Sequence, residues 1–181
     1  MKSEFYHQVS NSTAHRADRE KHRNLVIRKT ELLPELIEIG FDINDKNHFK
    51  AMWILELVCE KKLKLFTPFI EEFCETLSSF TNDSALRSVS KICLFLAKSN
   101  HRANGIKLSQ NQETLIIENC FDWLIREEKV VTKVYAMRAL FVLGKKYDWV
   151  HPELKNIIQQ DYNSHSAAYQ AATRMLLKKW K

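Results

Sequence analysis

The stretch "TKVYAMRALFVLGKK" (residues 132–146) contains a small residue, two variable positions, an apolar residue and then a leucine. This five-residue pattern occurs four times in the chain, and its first positions are 39, 46 and 36 residues apart. The four copies are Ala51-x-x-Ile54-Leu55, Ser90-x-x-Cys93-Leu94, Ala136-x-x-Ala139-Leu140 and Ala172-x-x-Met175-Leu176. A small side chain allows two helices to approach closely, and the following apolar pair lies on the same face one turn later. The pattern therefore predicts four related helices, which we call the A helices.

The three prolines of the chain indicate a second type of helix. Pro34, Pro68 and Pro152 each precede apolar residues at the spacing of one helix face. Proline suits the first turn of a helix because its fixed φ is already helical and its missing N–H would have no partner there. We therefore predict that each proline starts a B helix. The three B segments that contain a proline are residues 33–42, 67–80 and 151–162. Residues 112–128 form a fourth predicted B segment, which contains no proline.

The two helix types alternate along the chain. Pro68 follows Ala51 by 17 residues, and Pro152 follows Ala136 by 16 residues. The longest interval contains the polar, glycine-bearing segment 99–110, which predicts a longer loop. Self-similarity near 35 to 45 residues is typical of helical solenoids. We therefore predict an all-α fold, an α-solenoid of about four antiparallel helix pairs followed by a terminal helix.

Two of the A segments resemble the first helix of a HEAT repeat, in which a basic residue stands three positions before a small one. The matching residues are Arg87 and Ser90 in "NDSALRSVSKICLFLAK" (82–98), and Lys133, Ala136 and Leu143-Gly144 in the first stretch. The other two repeats have His48 and Tyr169 at the basic position. The resemblance covers about residues 31–181. It implies a HEAT-like, armadillo-type fold in which the helix pairs form a right-handed superhelix.

The whole chain is also similar to short helical-repeat proteins that are sometimes labelled adenylosuccinate lyase. Enzymes of the lyase family carry their catalytic serine in a loop of the type S-S-x-M-P-x-K-x-N, and no such stretch occurs here. That activity is the third and least favoured interpretation. We expect a protein that is not an enzyme.

Composition agrees with a helical protein and bears on its location. The 181 residues include only three glycines and three prolines, too few for the turns of a many-stranded sheet. No apolar run approaches the roughly 20 residues that cross a bilayer, and residues 1–23 are too polar for a secretory signal. We expect a cytoplasmic protein without membrane contact. Residues 1–13 are expected to be a polar, flexible N-terminus, and residues 14–181 a single HEAT-like domain.

Residue types that often carry chemistry do not form a recognisable motif. The cysteines have no C-x-x-C pair and lie in apolar surroundings, so we predict buried free thiols. His15, Asp18 and His22 fall on one helix face, where a solvated charged surface is favoured over a metal site. We expect neither a metal nor a cofactor, and no catalytic residue is assigned. The four tryptophans are expected to pack in the core rather than to stack on bases.

Charge is distributed unevenly between the two helix types. The net charge of +6 comes from the two chain ends, residues 1–30 and 174–181, which together carry +8. The four B segments hold 13 acidic and only 2 basic residues. The acidic residues that lie opposite an apolar stripe, or form an i, i+4 row, are Glu71, Glu72, Glu75, Glu118 and Asp122. Since second helices line the concave surface of HEAT solenoids, the resemblance implies an acidic concavity; a preference of acidic residues for early helix turns is the alternative explanation.

These observations favour a protein-interaction scaffold whose partner is another protein, with a basic segment bound on the acidic B-helix face. The alternative is a nucleic-acid binder of the HEAT-like DNA alkylation-repair type, for which the basic A-helix residues Arg87, Lys91 and Lys133 are the candidates. Nucleic acid is the less favoured partner, because acidic side chains in the groove would oppose a phosphate backbone.

Overall fold

A computed structural model of the protein describes residues 2–180, which contain helices and no β-strand. The α-helices in chain order are α1 (Glu4–Ser10), α2 (Arg16–Arg28), α3 (Leu33–Phe41), α4 (His48–Lys62), α5 (Ile70–Thr76), α6 (Asp83–His101), α7 (Gln110–Ile125), α8 (Val130–Leu143), α9 (Val150–Gln160) and α10 (Ala167–Leu177). The prediction of an all-α fold is confirmed. Within residues 2–180, none of these helices has both the length and the apolar character that crossing a membrane requires.

The chain divides into two compact units, residues 1–92 and residues 93–181, and the division falls within α6. Sequence analysis expected one domain over residues 14–181. Each unit has a buried core of its own, so each is described separately.

The core of unit 1 is organised around α4, which packs against α2, α3 and the 3-10 segment Leu63–Phe69. Ala51, Ile54 and Leu55, the A-helix pattern residues of α4, are fully buried. The small side chain of Ala51 sits 3.6 Å from the position that a Cβ atom on Gly40 of α3 would occupy. The repeat pattern therefore marks the close contact between α3 and α4, as expected from its small residue.

The N-terminus differs from the flexible segment expected over residues 1–13, because residues 4–10 form α1. Ser3 caps this helix by accepting a hydrogen bond from the backbone N–H of Tyr6. The Tyr6 hydroxyl donates to Asp45 Oδ1 at 3.0 Å and accepts from Asn47 Nδ2 at 3.0 Å. These partners lie about forty positions away in the chain, so local composition could not reveal them.

The core of unit 2 is organised around α8, which packs against α7, α9 and α10. Ala136, Ala139 and Leu140 of α8 are fully buried. In α10, Ala172 and Leu176 are buried, whereas Met175 is 57% exposed. Three of the four A-helix patterns thus bury every one of their defining residues, and the last one leaves its apolar position on the surface.

The prolines lie near helix beginnings, with one difference from the prediction. Pro34 occupies the first turn of α3, and Pro152 is the third residue of α9. Pro68 instead lies inside the 3-10 segment Leu63–Phe69, and α5 begins at Ile70. The predicted segment 67–80 is therefore a mixture of 3-10 and α-helical turns rather than one α-helix.

The predicted long loop joins α6 to α7 and occupies residues 102–109. Ser109 ends it with a capping box, in which its hydroxyl accepts from the N–H of Gln112 and the Gln112 side chain accepts from the N–H of Ser109. Inside the loop, Ser99 Oγ and Asn100 Oδ1 accept backbone hydrogen bonds from Ile106 and Leu108. The loop backbone is therefore held by side chains from the end of α6.

Candidate functional site

Helix α5 of unit 1 carries three exposed carboxylates, Glu71, Glu72 and Glu75. The other side of the same helix is buried through Phe73 and Cys74. Within residues 2–180, none of the three carboxylate groups takes part in a hydrogen bond or an ion pair. The predicted acidic residues of this helix are therefore on the surface and have no counter-charge of their own.

Helix α7 of unit 2 carries the other two predicted acidic residues. Glu118 is exposed, and its carboxylate has no ion pair among the residues that the structure describes. Asp122 lies one turn further on, and its Oδ2 atom is 3.1 Å from Nη2 of Arg126. Both side chains of this pair are about half exposed, and exposed pairs of this kind contribute little free energy. Arg126 therefore holds Asp122 only weakly.

An aromatic pair, of which Trp149 is exposed and Phe121 partly buried, lies beside these carboxylates in unit 2. The rings of Phe121 and Trp149 are stacked, with centroids 5.6 Å apart and planes 26° apart, and Trp149 is 55% exposed. Ile125, one turn beyond Phe121 and Asp122, is 66% exposed. Large apolar side chains exposed next to one another are typical of interaction surfaces.

We call this area the α7–α9 surface, made of Glu118, Phe121, Asp122, Ile125 and Trp149. The four residues of α7 fall at the spacing of one helix face, and Trp149 immediately precedes α9. Sequence analysis identified the two carboxylates but not the apolar members. It expected tryptophan in the core, which is correct for Trp123, 1% exposed, and wrong for Trp149. The sequence signal that points to the apolar members is Ile125, which lies on the acidic face of α7.

The basic residues assigned to the nucleic-acid alternative are poorly placed for binding a phosphate backbone. Lys133 is 4% exposed, and its Nζ atom donates a 2.6 Å hydrogen bond to the carbonyl oxygen of Leu124. The ammonium group of Lys91 forms ion pairs with Glu56 at 2.7 Å and Glu60 at 3.2 Å. Arg87 is only partly exposed. Two of the three candidates for nucleic-acid binding, Lys91 and Lys133, thus make contacts inside the protein.

Unit 2 also contains a polar pocket beside the long loop, with a volume of about 360 Å³. Its buried carboxylate is Glu113, which is 1% exposed and accepts hydrogen bonds from Asn100, Lys146 and Tyr147. Burial by itself raises the pKa of Glu113, but these three donors outweigh it and hold the pKa below its ordinary value. The carboxylate is thus ionised at neutral pH and joins three donors from other parts of the unit.

The thiols lie in the interior of the protein. All four cysteines are buried, as predicted. Burial raises the pKa of the Cys74 thiol to about 12 and that of Cys59 further, so neither is a thiolate at neutral pH. His22 is buried, and its Nδ1 atom lies 2.9 Å from the backbone oxygen of Asp18. Between residues 2 and 180, no group of three histidine, cysteine, aspartate or glutamate side chains is placed to hold a metal ion.

Comparison of the chain with models of protein families, with curated proteins and with solved structures found no match.

Proposed function

We propose that the chain is a HEAT-like α-solenoid of about four antiparallel helix pairs in a right-handed superhelix, closed by a terminal helix. The support is the position of the repeat pattern. Its small residues Ala51, Ser90, Ala136 and Ala172 are all buried and occupy alternate helices from α4 to α10. Each B segment follows or precedes such a helix through a short connection. This is the arrangement expected when successive helix pairs bury a common apolar edge.

We further propose that the protein is a non-enzymatic interaction module of the cytoplasm that binds a basic segment of another protein. The observation that carries this proposal is the α7–α9 surface, where carboxylates lie next to the exposed side chains of Trp149 and Ile125. Glu118 and Asp122 suit the charge of lysine or arginine side chains, and Trp149 offers a ring face to a cation. Ile125 offers apolar contact to the stem or to a neighbouring residue of the same segment.

The α5 carboxylates of unit 1 are a second, independent place for a basic segment in this proposal. Glu71, Glu72 and Glu75 are exposed and unpaired, as a binding surface for cations requires. No exposed large apolar side chain lies on α5 among the described residues. We therefore expect the α5 carboxylates to bind a basic segment more weakly than the α7–α9 surface does.

A defined peptide tests this proposal. The probe is a fluorescein-labelled peptide of about fifteen residues in which lysines and arginines alternate with leucine, and the readout is fluorescence anisotropy with the full chain. Glu118→Lys with Asp122→Lys should weaken binding at least about tenfold, and Trp149→Ala about fivefold. The fourfold variant that also reverses Glu71 and Glu75 should abolish binding.

Controls separate loss of binding from loss of folding. Circular dichroism should show unchanged helicity in every variant, since all these side chains are on the surface. Glu31→Lys is the matched charge reversal at an exposed residue outside both areas, and it should leave affinity unchanged. Equal affinity of the fourfold variant and the unmodified chain would refute the proposal. A salt-dependent mobility shift with duplex DNA, unaffected by these variants, would favour the nucleic-acid alternative.

A further inference from the structure

A second surface of unit 2 is an apolar groove between α8 and α10, with a volume of about 460 Å³. Its apolar lining includes Val131, Val134 and Tyr135 from α8 and Ala168, Ala171 and Met175 from α10. The one charged side chain that lines this groove is Arg138. The groove shares no residue with the α7–α9 surface, so it is independent of the function proposed above.

The α10 side of the groove is apolar although it faces solvent. Ala168, Ala171 and Met175 lie at i, i+3 and i+7 of the helix, and all three are exposed. Met175 alone is 57% exposed. An outward helix face is ordinarily polar. The two alanines leave room for the backbone of another helix to approach closely, and the flexible methionine can adapt to its side chains.

One end of the groove is positively charged. A neighbouring pocket of about 260 Å³ shares Arg138, Ala172 and Met175 with the groove and adds Lys98 and Lys179 to its lining. No acidic side chain lines either space. Arg138 forms no ion pair within the described part of the chain. An apolar floor with cations at one end is complementary to an amphipathic ligand that carries negative charge at the corresponding end.

We propose that this groove binds an amphipathic helix of another protein, with its apolar stripe against α8 and α10 and its acidic side chains against Arg138, Lys98 and Lys179. Helices that bind in this way place apolar residues at i, i+3, i+4 and i+7. The groove is open to solvent on its α10 side, where Ala168, Ala171 and Met175 are exposed. A site for a long-chain carboxylate would enclose most of its ligand. The open shape and the small residues therefore favour a helix.

The test uses a fluorescein-labelled sixteen-residue peptide with leucines at helix spacing and three glutamates in its last turn. Its binding to the full chain is measured by fluorescence anisotropy. Arg138→Gln should weaken binding about fivefold, because one cation is lost from a partly buried site. Ala171→Asp should weaken it at least about tenfold, because it places a charged carboxylate against the apolar stripe of the peptide.

Matched controls are Lys155→Gln, which removes an exposed cation on α9, and Ala167→Asp, which adds a carboxylate to α10 outside the groove. Both should bind the peptide as the unmodified chain does. A scrambled peptide without the apolar stripe should not bind. Sedimentation velocity and a fluorescent C16 carboxylate complete the test.

Three outcomes would overturn the proposal. The first is equal affinity of Ala171→Asp and the unmodified chain for the peptide. The second is self-association of the chain that Ala171→Asp removes, which would identify a second copy as the occupant. The third is saturable, Arg138-dependent binding of the C16 carboxylate together with no binding of the peptide, which would identify an amphiphile site.

Discussion

The Nζ atom of Lys91 lies 2.7 Å from Oε1 of Glu56, so an ion pair connects α6 to α4 inside unit 1. Glu56 is 1% exposed, and its other carboxylate oxygen accepts a 2.8 Å hydrogen bond from the Ser88 hydroxyl. Burial alone lowers the pKa of Lys91, but its bonds with Glu56 and Glu60 outweigh this effect and raise the pKa above its ordinary value. The Lys91 ammonium group is therefore charged at neutral pH.

Glu56→Ala should lower the free energy of unfolding by about 3 kcal/mol, because it leaves Lys91 without its buried partner and Ser88 without an acceptor. Urea denaturation followed by circular dichroism measures this change. Glu72→Ala, which removes an exposed and unpaired carboxylate, is the control and should change the free energy by less than about 0.5 kcal/mol. Similar values for the two variants would show that the Lys91–Glu56 pair adds nothing.

Glu113→Gln should lower stability at pH 7 by about 2 kcal/mol, since it weakens hydrogen bonds made to a charged acceptor. The pKa of Glu113 is lower in the folded protein than in the unfolded chain. Its stabilisation is therefore present above the unfolded value of about 4.3 and is lost as pH falls through the folded value. The stability gap between the two proteins, measured by urea denaturation from pH 7 to pH 3, should close toward acid. A gap that stays constant would contradict this assignment.

Lys133→Met should change stability at pH 7 by less than about 1 kcal/mol, because the loss of the bond to Leu124 is offset by the removal of a buried charge. Burial lowers the pKa of Lys133 below its ordinary value. The folded state then binds fewer protons than the unfolded state between the lowered pKa and about 10.4, so Lys133 contributes more stability as pH rises through that window. The difference between the unmodified chain and the variant should grow from pH 7 to pH 10. Lys155→Met, at an exposed residue, should show no such trend.

Gly105→Ala should destabilise the protein by about 2 to 3 kcal/mol, because a Cβ atom there would lie 1.7 Å from the backbone oxygen of Ser99. Gly40→Ala makes a useful comparison. Its nearest neighbour would be the Sδ atom of Met52 at 3.0 Å, which belongs to a flexible side chain, and alanine favours the helix by about 1 kcal/mol. Thermal melting should therefore place Gly105→Ala well below Gly40→Ala. The reverse order would show that the loop rearranges around the added methyl group.

The features predicted best are those that depend on local spacing. The small residues Ala51 and Ala136 recur at repeat distance and lie at close helix contacts, so one pattern identifies both the helix and its buried face. Pro34 starts α3 for an equally local reason. The exposed carboxylates of α5 and α7 follow from the apolar stripes opposite them.

Features that join distant parts of the chain could not be predicted in this way. Lys133 fits the basic position of a repeat but is buried, because Leu124 offers it a carbonyl at the end of α7. Glu113 meets Lys146 and Tyr147 across more than thirty residues. The position of Trp149 likewise depends on a distant residue, because its ring stacks on that of Phe121 in α7. The hydropathy pattern along the chain carries no information about such contacts between distant residues.

The buried carboxylates of Glu56 and Glu113 each require hydrogen-bond donors at a fixed position along another segment of the same unit. Apolar side chains recur at every turn of a helix. Apolar contacts alone would therefore allow a neighbouring helix to shift along its axis by one turn. Such a displacement would move the lysine or serine donor away from the carboxylate. The buried charge would then have no partner. The polar contacts therefore determine how these helices are aligned, and the apolar contacts stabilise the aligned arrangement.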